Sequence, residues 1–201
     1  SLSYFMGGRS GNRGECAQMC RHPYNLIDSN GKRLALNKHL LSLKDLNNSN
    51  NLQKLIQAGI TSFKIEGRLK DEYYVKNVVS YYRQRLDALI KNNKNLERAS
   101  SGRTEISFEP DPERSFNRQK TDYFFNSREQ GMINPFTPKS MGKFLGTVQK
   151  VAKEYVVIDG EQELHNGDGL CFIHQDMLRG LRIEKVLGTK IFVNDITHIT
   201  E

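Results

Sequence analysis

The chain has 201 residues, 30 of them basic and 23 acidic, for a net charge of +7, and 37% of its residues are apolar. That length holds one large domain or two small ones, and the balance of apolar to charged residues excludes an intrinsically disordered chain. No apolar run approaches the ~20 residues a membrane span needs, and the basic excess favours an anionic partner, of which nucleic acid is the usual one.

The elements read in chain order as follows. Tyr24–Ile27 and Arg33–Leu36 flank Ser29-Asn30-Gly31-Lys32, and Asn-Gly between apolar runs predicts a β-hairpin. Leu40–Leu43 reads as a short strand ending at Lys44 and Asp45. Leu52, Leu55 and Ile56 share a helical face, and Gly59 stops that helix. Ile60–Ile65 is rich in β-branched and aromatic residues and reads as a strand that closes on Glu66-Gly67-Arg68. Asp71 is a good N-cap, and Val75, Val78, Val79, Tyr82, Leu86, Leu89 and Ile90 repeat at three and four residues, which predicts a helix of about five turns. Strand, helix, strand, helix is the grammar of a parallel sheet or barrel.

Beyond residue 95 the pattern changes. A polar linker leads into a Pro-rich, aromatic stretch, and from Gly142 short strands recur at Phe144–Val148, Tyr155–Ile158, Gly169–Ile173, Leu181–Ile183 and Lys190–Val193, separated by Gly-containing turns. This spacing predicts a small all-β barrel. The expected organisation is therefore α/β plus all-β: residues 1–95 as the C-terminal part of a β/α barrel, 96–141 as a connector, and 142–201 as a small β-barrel. The chain opens on Ser inside a motif-like segment, so a fragment of a longer protein is expected. Few cysteines and no secretory signal point to a reducing, cytoplasmic compartment.

Candidate chemistry gathers in two places. Arg9-Ser-Gly-Asn-Arg-Gly-Glu-Cys-Ala-Gln-Met-Cys-Arg-His22 sets Cys16 and Cys20 four residues apart in a Gly-rich segment. Arg9, Arg13 and Arg21 surround the thiols with positive charge, which favours thiolate. The pair reads as half of a metal or iron–sulfur site, since such sites take four soft ligands or three and another donor. A disulfide between them, or two idle thiols, are the alternatives. Cys171, in an apolar run, reads as a small buried hydrophobe. At the second place Glu66 and Arg68 end a strand, where barrel enzymes keep their working residues. A carboxylate and a guanidinium there would orient an anionic substrate or carry a proton, with a structural ion pair as the alternative. Gly-x-Ser-x-Gly and His-Glu-x-x-His are both absent.

The run Ser3-Tyr-Phe-Met-Gly-Gly-Arg-Ser-Gly-Asn-Arg-Gly-Glu-Cys-Ala-Gln-Met-Cys-Arg-His-Pro-Tyr24 closely resembles the signature of the collagenase-like peptidases, the thirty-second peptidase family of unknown catalytic type. Phe63-Lys-Ile-Glu-Gly-Arg-Leu-Lys-Asp-Glu-Tyr-Tyr-Val75 resembles a second block of that family, and the β-rich tail resembles the C-terminal domain of its long bacterial members. The resemblance implies a TIM-like barrel in the intact protein. It also implies four cysteines, two lying just before this stretch and two matching Cys16 and Cys20. Some members are called proteases; others hydroxylate pyrimidines in tRNA or ribosomal RNA, with an iron–sulfur cluster and a prephenate-linked pathway. The RNA reading fits the basic charge, the Cys pair and the appended β-rich module. It assigns Arg9, Arg13, Arg21 and Arg68 to phosphates, Tyr4, Tyr24 and Tyr74 to base stacking, Glu66 and Arg68 to catalysis, and Cys16 and Cys20 to the cluster. A protease and a non-catalytic RNA- or protein-binding module remain as alternatives.

Overall fold

The computed structural model describes residues 2–128, 131–160 and 163–200. It mixes helix and sheet in two compact units, one of residues 1–43 with 133–201 and one of residues 44–132. No described helix is long and apolar enough to cross a membrane.

The first unit opens with helix α1 (Leu2–Gly7) and two single-turn 3-10 helices, Gly11–Arg13 and Met19–Arg21. The expected hairpin follows as β1 (Tyr24–Ile27) and β2 (Arg33–Lys38), paired antiparallel. Asp28 organises its turn: the carboxylate accepts from the backbone N–H groups of Asn30 and Lys32, both at 2.9 Å, while Gly31 takes the left-handed conformation that asparagine-glycine turns require (φ 79°).

The rest of this unit is a five-stranded antiparallel sheet curled into a half barrel. Its strands are β5 (Val148–Val151), β6 (Tyr155–Ile158), β7 (Gly169–His174), β8 (Met177–Leu187) and β9 (Lys190–Val193), in the spatial order β5-β6-β9-β8-β7. The expected closed barrel is corrected on this point, because β5 and β7 remain as edges and do not pair with each other. Val156, Ile183, Ile191 and Val193 form the buried core, with Val148, Val151, Ile158, Leu170, Leu181 and Val186 packed around it. Two β-bulges keep these residues on one face. One falls between Val148 and Lys150 and the other between Ile183 and Lys185. Each inserts one extra residue, so that Val148 and Val151, three apart, both point inward, as do Ile183 and Val186. Phe144 to Thr147, read as strand, lies outside the ladder, and β8 runs well beyond Leu181–Ile183 on both sides. Cys171, expected to be buried, is exposed: it lies opposite Gly180 on β7, and its thiol donates to the Met141 carbonyl (3.2 Å).

The second unit contains β3 (Asp45–Leu46), α2 (Leu52–Gln57), α3 (Glu72–Lys91) and β4 (Lys120–Thr121). Asp71 caps α3 as expected, its carboxylate accepting from the Tyr74 N–H at 2.8 Å. β3 and β4 pair in parallel over two residues, and no TIM-like barrel is seen among the described residues. Two expected strands do not form. Leu40–Leu43 makes one isolated bridge, Leu43 to Ile133. Ile60–Ile65 joins no ladder at all, and Ile60 and Ile65 are exposed. A β-rich composition becomes a strand only when a neighbouring backbone takes up its N–H and C=O groups, and the described residues supply none here. The apolar stripe of α3 is likewise partly open, with Val78 buried and Val75 and Val79 exposed.

Candidate functional site

In the first unit the two thiols ride on a loop built by glycine and backbone turns. Gly14 is left-handed (φ 80°) and closes the first 3-10 turn on the Gly11 carbonyl. The Ala17 N–H donates to the Ser3 hydroxyl (2.8 Å), which ties the loop to α1, and the Gln18 N–H points at the Cys16 sulfur (3.4 Å). Cys20 sits in the second 3-10 turn and is half-buried; Cys16 is exposed. Both thiols are free, so the disulfide alternative is not adopted.

The side chains expected around them divide. Arg9 and Arg13 are exposed. Arg21 instead reaches back into its own unit, its Nη1 donating to the Ser42 hydroxyl (2.8 Å) and the Leu43 carbonyl (2.9 Å). The Tyr24 hydroxyl donates to the Met19 carbonyl (2.6 Å), clamping the turn that carries Cys20. His39 Nδ1 lies 2.8 Å from the Arg21 carbonyl; since a carbonyl only accepts, that nitrogen carries the proton. Arg21, Tyr24 and His39 thus fix the presentation of Cys20. As donors the thiols suit a soft metal or a cluster, and two of them meet half of a four-sulfur requirement. No group of three or more His, Cys, Asp or Glu among the described residues is arranged to hold a metal ion.

In the second unit Glu66 and Arg68 stand on an exposed turn closed by the Lys70 N–H on the Gly67 carbonyl (3.0 Å). The Glu66 carboxylate lies 3.7 Å from the Lys64 ammonium and accepts weakly from the Arg68 N–H (3.4 Å). The two side chains therefore form no ion pair with each other, and the left-handed residue of the turn is Leu69 (φ 60°).

Next to this turn is a cluster that the sequence did not disclose. Asp45, at the start of β3, pairs with Arg118 at 2.6 Å and also accepts from the Arg118 N–H at 2.8 Å. The Arg118 guanidinium and the Lys70 ammonium both lie over the Phe116 ring, at 4.9 and 3.0 Å from its centroid, and Lys70 is 5.4 Å from the Tyr74 ring. Partial burial, then the neighbouring Arg118 charge, push the Lys70 ammonium below its ordinary pKa, against the pull of Asp45 and Asp71. Burial, then Asp45, push the Tyr74 phenol up. The two shifts act in the same sense on charge: burial disfavours both the phenolate of Tyr74 and the ammonium of Lys70. A cleft of about 540 Å³ adjoins the cluster, lined among others by Tyr73, Tyr74, Phe108, Asp111, Arg114 and Phe116. Asp45 was legible as a strand-end residue. Arg118 and Phe116 were not, because only the parallel β3–β4 pairing brings residue 118 beside residue 45.

Comparison with known proteins places these residues in a family. The chain is 48% identical over 189 residues (94% of its length) to a 23S rRNA 5-hydroxycytidine synthase of Escherichia coli K12. It is 33% identical over 156 residues (73%) to tRNA hydroxylation protein P1 of Bacillus subtilis. A collagenase of Porphyromonas gingivalis is 38% identical over 87 residues, 43% of the chain. The chain spans 29%, 36% and 24% of the lengths of these three relatives. No solved structure matches it. The model of peptidase family U32 matches residues 1–134, which include the paired thiols, the Glu66-Gly67-Arg68 turn and the Asp45–Arg118 cluster, and the chain belongs to that family.

Proposed function

We propose that this chain is part of an RNA-hydroxylating member of the family, acting on a pyrimidine of ribosomal or transfer RNA. The observation that carries the reading is the 48% identity to an rRNA hydroxycytidine synthase, which extends over 94% of the chain and through the β-rich module as well as the thiol loop. The similarity to the collagenase covers 43% of the chain. In this reading Cys16 and Cys20 are two ligands of an iron–sulfur cluster whose remaining ligands come from residues outside this chain; the cluster would supply electron transfer. Arg9 and Arg13, exposed on the same loop, hold phosphates. Glu66, Arg68 and Tyr74 contact the substrate, and Lys70 provides a cation beside Tyr74. Among the described residues none of the three cysteines is hydrogen-bonded to a histidine, so no Cys–His pair supports a peptidase reading.

The test is mass spectrometry of ribosomal and transfer RNA from a strain lacking the intact protein, complemented by wild type, Cys16→Ser, Cys20→Ser or Glu66→Ala. Loss of a hydroxypyrimidine that wild type restores and the cysteine variants do not is the expected result. Unaltered RNA, with gelatin cleavage by the purified intact protein, would transfer the function to the peptidase reading.

A further inference from the structure

We propose that the outer face of the half barrel is a docking platform for single-stranded RNA, centred on Tyr155 and Phe192 and rimmed by Lys150, Lys185 and Lys190. The inference rests on the RNA reading for its ligand class but names a surface that reading does not use.

The face is defined by register. Tyr155 of β6 is the cross-strand partner of Phe192 of β9, and Phe192 is in turn the partner of Lys185 of β8. Directly opposed residues share a face, so these three form one row across three neighbouring strands. Lys150 of β5 lies opposite Val157, two residues along β6 from Tyr155, and therefore points the same way. Lys190, two residues before Phe192, does so too, its ammonium 5.0 Å from the Tyr155 ring centroid. The intervening residues Val156, Ile191 and Val193 face the core. Both bulges matter here, because a regular strand through residues 148–151 or 183–186 would put Val148 and Val151, or Ile183 and Val186, on opposite faces; absorbing Gln149 and Glu184 in bulges keeps those four inside and leaves Lys150 and Lys185 out.

The chemistry of the row points to an occupant. The Tyr155 and Phe192 rings are 5.7 Å apart, tilted 49° to one another and half-buried on the strands beneath them, with the Lys190 ammonium over the Tyr155 ring. Ring faces set in a sheet stack nucleobases of any sequence, and lysines around them neutralise the phosphates. Lys150, Lys185 and Lys190 are exposed, and no carboxylate lies within salt-bridge distance of any of them among the described residues. Their positive charge is thus available to a ligand. The neighbouring acids are Glu154, in the β5–β6 turn, and Glu184, at the bulge. A row over three strands spans about 10 Å, room for about two stacked bases. Unpaired RNA can splay its bases onto such a row; a duplex hides them.

The test uses the 201-residue chain and fluorescence anisotropy with a short fluorescein-labelled oligocytidylate, compared with an RNA hairpin and with polyglutamate as competitor. Phe192→Leu, which keeps the site apolar, should weaken oligocytidylate binding by about 5- to 150-fold, the range for loss of one stacked base. Lys185→Gln with Lys190→Gln should lower the salt slope of binding by about 1.4, two phosphate contacts' worth for a single strand. Circular dichroism melting checks that each variant is folded. Unchanged affinity in both variants, equal binding of the hairpin, or equal competition by polyglutamate would each overturn the proposal. These outcomes are separate from the fate of the hydroxylation reading, which stands or falls on the RNA mass spectrum of the complemented strain.

Discussion

Replacing Arg21 by Met keeps the aliphatic stem and removes the guanidinium, and it separates a brace from an RNA contact. In the structure one nitrogen of Arg21 bonds both the Ser42 hydroxyl and the Leu43 carbonyl. Ser42 is fully buried (0% exposed), so its hydroxyl would lose a charged donor without gaining water. A hydrogen bond from a charged group contributes about 1.5–3 kcal/mol, and the Leu43 end is open to solvent and counts for less. We expect a loss of about 2–3 kcal/mol, which for a chain of this size lowers the melting temperature by about 5–10 °C. Because Arg21 shares a 3-10 turn with Cys20, that thiol should also react faster with Ellman's reagent in the folded variant. Thermal unfolding followed by circular dichroism, with thiol labelling on the same sample, reads both effects. A melting temperature within about 1 °C of wild type together with lost RNA affinity would refute the brace and give Arg21 to the ligand.

Three more outcomes follow from the geometry. Gly146→Ala should destabilise the first unit by at least about 2 kcal/mol by thermal melt, since Gly146 has φ 146° and a Cβ there would strike the Asp159 carboxylate and carbonyl. The lowered pKa of Lys70 means that the unfolded chain binds the proton more tightly, so this residue makes stability rise with pH up to its ordinary value of 10.5; Tyr74, raised above 10.0, opposes this only as pH climbs past its own ordinary value. In urea titrations from neutral pH to pH about 10, Lys70→Met should flatten the rise, and an unaltered slope would remove Lys70 from the account. Deleting Glu184 should leave the chain folded, at a cost of about 2 kcal/mol or less, because it removes the bulge while Ile183, Lys185 and Val186 keep their faces; deleting Phe192 turns Val193 outward and should cost more than about 4 kcal/mol.

The hairpin, helices α2 and α3 and most of the β-rich module were legible because their signals are local. Asn30-Gly31 lies between apolar runs, Asp71 opens a 3.6-residue stripe, and Lys190–Val193 alternates between turns. Ile60–Ile65 shows the boundary of that legibility. Its composition is as β-rich as that of β9, yet β9 has β6 on one side and β8 on the other, and Ile60–Ile65 has no ladder partner among the described residues. The half barrel was misread as closed for a related reason. Strand number and spacing are written in the sequence, but closure depends on whether β5 and β7 meet, and that is decided by curvature introduced at single bulged residues.

The same division holds for the sites. Cys16 and Cys20 stand out in the sequence as a candidate pair, since a thiol in a Gly-rich basic loop is conspicuous wherever it lies. The roles of their neighbours do not. Arg21 and Tyr24 are chemically suited to phosphate and base, and only the positions of Ser42, Leu43 and Met19 show them holding the loop. Conversely Lys185 and Phe192 carry no motif and sit far apart in sequence from Tyr155. What joins them is antiparallel register, and the bulge that absorbs Glu184 keeps Lys185 on the same side as Phe192. Side-chain type proposes a chemistry; the parity of a strand decides which partner that chemistry can meet.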